Sequence, residues 1–110
     1  MSAPKFELDN LIAIVDKNNF QQTGSNQEIM DLKNLKEKWS NFGWDAAECD
    51  GHNLQELKNY FDNIEANQKP KILIANTIKG KGFSFAENNN DWHHSIMTKT
   101  IYEKALEEIE

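Results

Sequence analysis

The chain has 110 residues, 38% of them hydrophobic, with 12 basic and 18 acidic side chains and a net charge of −6. That is enough for one small domain with a limited core, and the acidic balance argues against binding to nucleic acid or an anionic membrane surface, which needs a basic face. The single cysteine, Cys49, allows no internal disulfide and no cysteine metal cluster, no apolar run approaches the roughly 20 residues of a membrane span, and the first ten residues lack a basic stretch followed by an apolar core. The expectation is a soluble, cytoplasmic protein with no address signal.

LIAIV, residues 11–15, reads as a buried strand, and the Asp-Lys-Asn-Asn that follows places side-chain oxygens at its carboxyl end. In open α/β sheets that edge is where ligands bind. Residues 18–27, rich in Asn, Gln, Gly and Ser, form a loop by composition. Leu32, Leu35, Trp39 and Phe42 then recur at helical spacing, predicting a helix over residues 31–42 that ends at Gly43. Residues 44–49, with Ala46 and Ala47, form a weaker strand closed by the turn residues DGHN at 50–53.

Asn53 can cap a second helix, with Glu56 placed to reach back to the cap's backbone N–H and an apolar stripe of Leu54, Leu57, Phe61 and Ile64. After the polar break ANQKP, Ile72, Leu73, Ile74 and Ala75 form another buried strand, with Pro70 safely ahead of it. TIKGKG, residues 77–82, turns at two glycines. A last helix begins near Thr98 or Thr100, the latter with Glu103 as capping partner, and carries Ile101, Ala105, Leu106 and Ile109 inward.

Strands alternating with helices, and apolar runs in place of polar–apolar alternation, suit a parallel sheet covered by helices. The fold expected is α/β, a three-layer fragment with a short, mainly parallel sheet flanked by helices, forming a single partial domain over residues 1–110. Three strands leave exposed edges, which is a hazard unless further strands come from elsewhere. A piece of a larger α/β domain fits that best.

Three segments carry the chemistry. Asn18 follows a strand end, and an Asn side-chain oxygen plus a backbone carbonyl two residues on gives two hard oxygen ligands from one turn, suited to a magnesium-type cation. On the residues alone this is also ordinary loop chemistry. Gly80 and Gly82 can bend a backbone around a phosphate while Lys79 and Lys81 add charge, but the spacing is not that of a Walker motif; a solvated turn is the plainer reading. His93 and His94 are adjacent and their side chains diverge, so they do not form an obvious metal pair.

LDNLIAIVDKNNFQQTGS, WSNFGWDAAECDGHN and ILIANTIKGKGFSFAENNNDWHH resemble transketolase segments in the same order and spacing, over nearly the whole chain. VDKNNFQQTG is similar to the second half of the thiamine diphosphate signature of that family, whose first half, Gly-Asp-Gly, occurs nowhere in this sequence. The resemblance implies that Asn18 binds the metal, Mg2+ or Ca2+, through its side chain and Phe20 through its carbonyl. It further implies that Ile78 contacts the cofactor and that His93 lies near the diphosphate and the substrate. His94 stands where the family pattern has glycine, so a tightened or reshaped turn is expected there. DGHN matches a family segment read as structural, with no catalytic role expected for His52, and nothing in the neighbourhood of Cys49 suggests an activated thiolate.

A complete enzyme of this type would move a two-carbon ketol unit between sugar phosphates, the thiazolium carbanion of the cofactor supplying the chemistry. The main metal-binding aspartate and the glutamate that activates the cofactor have no counterpart here, so residues 1–110 alone are expected to be inactive. MSAPKFELDN resembles the inside of the helix that follows Gly-Asp-Gly. A gene fragment, a truncated start or one piece of a split enzyme would each account for this. The expected partners are the remaining transketolase segments or subunit, in a dimer when complete, with sugar phosphates as substrates. Two alternatives are a non-catalytic interaction module and a related thiamine diphosphate enzyme with another substrate.

Overall fold

A computed structural model describes residues 1–109. In chain order the elements are α1 (Ser2–Lys5), β1 (Ile12–Lys17), β2 (Phe20–Gln21), β3 (Gly24–Ser25), α2 (Asn26–Ile29), α3 (Leu35–Asn41), β4 (Asp45–Asp50), α4 (Leu54–Asp62), β5 (Lys71–Asn76), a 3₁₀ helix (Asn90–His93) and α5 (Lys99–Ile109). They form two compact units, the first from residues 1–17 and 32–77, the second from residues 18–31 and from Ile78 onward.

The first unit holds a three-stranded parallel sheet in the order β1-β5-β4, as the apolar runs predict. The path from β1 to β4 skips a position and the path from β4 returns to β5. With right-handed crossovers, that reversal puts α3 and α4 on opposite faces. The charges agree: Lys36 of α3 acts on Glu48, whereas Glu56 and Tyr60 of α4 interact with Cys49, the neighbouring residue of β4 that points the other way.

β5 is central and supplies the core, with Ile72, Leu73 and Ile74 at 0% exposure. β1 differs from the expected buried strand. It is an edge, its burial alternates, and Ile12 and Ile14 are 40% and 58% exposed. The two runs have similar composition; β5 has a strand on each side, and β1 has one only on the β5 side.

The predicted helix over 31–42 starts later, at Leu35. Met30 is extended, Lys33 adopts φ +47°, and the Asn34 side chain accepts from the Glu37 N–H at 3.2 Å, capping there. Its end is as expected: Gly43 has φ +90°, and a Cβ at that position would come within 2.9 Å of Pro4. Asn53 caps α4 through the N–H groups of Gln55 and Glu56 at 3.0 and 3.2 Å. Glu56 does not complete the expected box. Its carboxylate accepts from the Asp50 N–H at 3.0 Å and the Asn53 side-chain amide at 3.1 Å, while the Asn53 N–H donates to the Asp50 carbonyl. The helix start is thereby stitched to the end of β4.

At the carboxyl end of the sheet, Lys17, Asn76 and Asp50 stand in register. Glu48 bonds Asn76 at 3.0 Å and Lys17 at 3.1 Å, and these two contacts hold its carboxyl below the usual carboxylate range. The Thr77 hydroxyl donates to Asp16, and the Thr77 N–H donates to the Lys17 carbonyl at 3.2 Å. At the other end, Lys71 is 3% exposed; its ammonium donates to the Asn67 side chain and to the Lys69 carbonyl at 2.8 Å, with Asp45 at 3.7 Å.

Candidate functional site

All four candidate site residues, Asn18, Phe20, Ile78 and His93, fall in the second unit. In the chain, Asn18 directly follows β1, which ends at Lys17, and Ile78 is the second residue after β5, which ends at Asn76. The region read as a loop, residues 18–27, has more structure than its composition suggests. β2 and β3 make a hairpin with Phe20 opposite Ser25 and Gln21 opposite Gly24. Ser25 then caps α2, accepting from the Glu28 N–H at 3.3 Å and donating to its carboxylate at 2.7 Å.

The turn itself is built by asparagines. The Asn18 Oδ1 accepts from the Phe20 N–H at 3.0 Å, and Asn19 sits at φ +66°, a left-handed conformation that Asn tolerates well. The Asn26 N–H donates to the Asn19 carbonyl at 2.8 Å. In an antiparallel ladder bonded and non-bonded pairs alternate, so Phe20 opposite Ser25 is a non-bonded pair and its carbonyl points away from the partner strand. The Asn18 oxygen keeps a second lone pair. One turn therefore offers an amide oxygen and an outward carbonyl, both hard donors of the kind Mg2+ and Ca2+ take. Among the described residues no group of three or more His, Cys, Asp or Glu could hold a metal ion, so this pair fits as part of a site completed by other oxygens.

Ile78 opens the glycine turn, its carbonyl accepting from the Lys81 N–H at 3.2 Å. Gly80 and Gly82 have φ of +72° and +97°. The turn folds back on itself: the Asn88 N–H donates to the Lys79 carbonyl at 2.9 Å, and the Gly82 N–H to the Glu87 carboxylate at 3.0 Å. A carboxylate already occupies that N–H, so at Gly82 the turn is not a phosphate cradle. Glu108 of α5 accepts from the Ser84 N–H and hydroxyl at 2.7 and 2.5 Å, which lowers its carboxyl from the ordinary glutamate value.

His93 is exposed at the end of the 3₁₀ helix, which is held by the half-buried Trp92 packed on Phe85 at 4.9 Å between ring centroids. Asn89 caps the helix through the Asp91 N–H at 3.0 Å. His94 adopts φ −132°, so no glycine is needed there, and, contrary to the divergence expected of adjacent side chains, its ring meets that of His93 edge-on at 4.6 Å. α5 begins after Thr98, whose hydroxyl accepts from the Ile101 N–H at 3.4 Å. Of its four residues expected inward, Ala105 is buried and Ile101 half-buried, whereas Leu106 and Ile109 are 43% and 67% exposed.

Asn90 is the residue that sequence reasoning missed. NNND reads only as a polar loop, yet the Asn90 side chain lies against the hairpin tip. With its amide oriented to suit its neighbours, it donates to the Gln21 carbonyl at 2.9 Å and accepts from the Gly24 N–H at 3.0 Å. In the first unit, burial pushes the Cys49 thiol above its ordinary value, which agrees with an inert thiol. A cleft of about 240 Å³ at the amino ends of β4 and β5 is lined by Asp45, Tyr60, Asn63, Asn67 and Lys71, at the sheet end opposite to that where ligands of parallel sheets bind.

A family model described as "Transketolase, thiamine diphosphate binding domain" matches residues 1–105. The chain is 39% identical over 110 residues to an apulose-4-phosphate transketolase subunit of Phocaeicola vulgatus, covering 99% of this chain and 39% of that protein. It is 40% identical over 104 residues to 6-deoxy-6-sulfo-D-fructose transketolase subunit SqwG of a Clostridium species, covering 94% of this chain and 38% of the relative. Among solved structures it is similar to transketolase from Campylobacter jejuni, with a TM-score of 0.86 and 26% identity over 96% of this chain and 17% of that one. The chain thus spans about two fifths of the length of these curated relatives.

Proposed function

Because the chain belongs to the transketolase thiamine diphosphate-binding family, we propose that it carries one half of a metal–diphosphate clamp, with Asn18 and Phe20 as its ligands. The observation that carries this reading is the turn in which the Asn18 oxygen is folded onto the Phe20 N–H while the Phe20 carbonyl faces outward. The Asn18 side-chain oxygen and the Phe20 carbonyl would hold Mg2+ or Ca2+. Ile78 would present an apolar wall to the cofactor, and the exposed imidazole of His93 would hydrogen-bond the diphosphate or the substrate. Thiamine diphosphate, when bound, supplies the carbanion chemistry. The completed enzyme would transfer a two-carbon ketol unit between sugar phosphates, in the cytoplasm and as a dimer.

Residues 1–110 contain no Gly-Asp-Gly, and two neutral oxygens hold a divalent cation too weakly to keep it in place against the diphosphate. Calorimetric titration of this chain with thiamine diphosphate and Mg2+ is therefore expected to show no micromolar binding. Adding the part of the Phocaeicola vulgatus relative that lies outside the matched region should restore it, and Asn18→Leu should abolish the restored binding. Tight binding by residues 1–110 alone would overturn the half-clamp.

A second reading, as one piece of a split enzyme, is favoured by β1, an edge strand with Ile12 and Ile14 exposed, and by relatives that are themselves named as subunits. A partner strand added to that edge would satisfy its backbone groups and cover both isoleucines. Sedimentation of the chain with that same complementary part should show a complex that Ile14→Lys abolishes. Two species that sediment independently would count against it.

A further inference from the structure

We propose that Asn90 is a positioning residue, tying the hairpin that bears Phe20 to the 3₁₀ helix that bears His93. It rests on the reading of Asn18, Phe20 and His93 as cofactor-facing groups. The Asn90 amide donates to the Gln21 carbonyl at 2.9 Å and accepts from the Gly24 N–H at 3.0 Å. The opposite orientation would aim its NH2 at the Gly24 N–H and its oxygen at the Gln21 carbonyl, donor on donor and acceptor on acceptor, leaving a single bond of 3.4 Å to the Gln22 carbonyl. The side chain thus acts as an extra peptide unit at the end of the hairpin.

Two features give this bond its consequence. A ladder of two residue pairs is marginal by itself, so the hairpin needs an outside support. In a 3₁₀ helix, side chains three residues apart eclipse one another, and Asn90 and His93 are the first and last residues of this one. The helix side that grips the hairpin is therefore the side on which His93 projects. Trp92, packed on Phe85, prevents the helix from rotating freely. Asn90 in this way sets the spacing between the metal-facing carbonyl of Phe20 and the imidazole of His93. Asparagine alone among the small polar side chains gives both donor and acceptor in one plane. Aspartate keeps the acceptor for Gly24 and sets a carboxylate against the Gln21 carbonyl.

The test uses the full 110-residue chain, labelled with 15N, as wild type, Asn90→Leu and Asn90→Asp. The Gly24 N–H is shared between the Gln21 carbonyl across the turn and the Asn90 oxygen, so its exchange should be a fewfold faster in N90L and less affected in N90D, with the amides of β5 unchanged in both. Mn2+ added as a paramagnetic probe should broaden the signals of Asn18, Phe20 and His93 together in the wild type. In N90L, His93 should leave that set while Asn18 and Phe20 remain in it. Unchanged exchange at Gly24 in both variants would overturn the positioning role of Asn90. Absence of broadening at Asn18 and Phe20 in the wild type would sink the metal reading instead, and the Asn90 tie would then stand or fall on Gly24 exchange.

Discussion

Ile74→Ala is expected to lower the unfolding free energy by about 2–5 kcal/mol, a large part of the roughly 5–15 kcal/mol typical of a domain. Ile74 has 0% exposure and sits mid-strand in β5, between Val15 on one side and Glu48 on the other. Removing three carbons there leaves a cavity that a strand hydrogen-bonded on both sides cannot collapse to fill. Ile14→Ala is the control, because the same side chain at 58% exposure should cost less than about 1 kcal/mol. Urea unfolding followed by tryptophan fluorescence reads both, and with slopes of about 1–3 kcal/mol per molar the midpoints should separate clearly. Equal losses at the two positions would mean that β5 is not the core of the sheet.

Gly80→Ala is expected to open the glycine turn. Gly80 has φ +72°, a conformation that costs an L-residue about 1–2 kcal/mol. A Cβ would also lie 2.4 Å from the Ala86 carbonyl oxygen and 2.5 Å from its carbon. Both are backbone atoms, so neither can swing aside, and the total should reach about 3 kcal/mol or more. Gly82→Ala separates the two causes. Its φ of +97° is equally unsuited to a side chain, but nothing lies within 4 Å of the added Cβ, so only the conformational cost remains. Amide exchange at Asn88, which donates to Lys79 across the turn, should accelerate far more in Gly80→Ala than in Gly82→Ala. If the two variants behave alike, close packing on Ala86 is not what the glycine provides. With the turn open, Ile78 would lose its fixed place and cofactor affinity in a completed enzyme should fall with it.

The legible parts of the fold were those in which a run of residues answers to a single constraint. Ile72 to Ala75 reads as a buried strand and Asn53 as a helix cap because each pattern is local. β1 departs from its expected burial for the opposite reason. LIAIV is as apolar as β5, and whether Ile12 and Ile14 are covered depends on what lies at the sheet edge. α3 starts later than its apolar spacing implies because Leu32 keeps helical spacing while Lys33 and Asn34 break the backbone ahead of Leu35. The two-residue strands at Phe20 and Gly24 are too short to carry any alternation.

The candidate site was legible through family likeness more than through pattern. Asn18, Phe20, Ile78 and His93 are singled out by their places in segments that resemble the family, whereas Asp-Lys-Asn-Asn alone is indistinguishable from a common turn. Asn90 left no such trace. Its contacts reach some seventy residues back along the chain, and its neighbours Asn88 and Asn89 are chemically identical. His94 shows the converse: a departure from the family pattern that the backbone absorbs at φ −132°.

All the basic residues of this chain are lysines, and the enclosed ammonium of Lys71 sets one of them apart. A reagent that acylates amines would modify exposed lysines in the native protein at rates set by collision. Lys71 would react only when the amino end of β5 separates from its surroundings. Quantifying its modification by mass spectrometry would turn one residue into a clock for opening of the sheet, with its fellow lysines as internal standards.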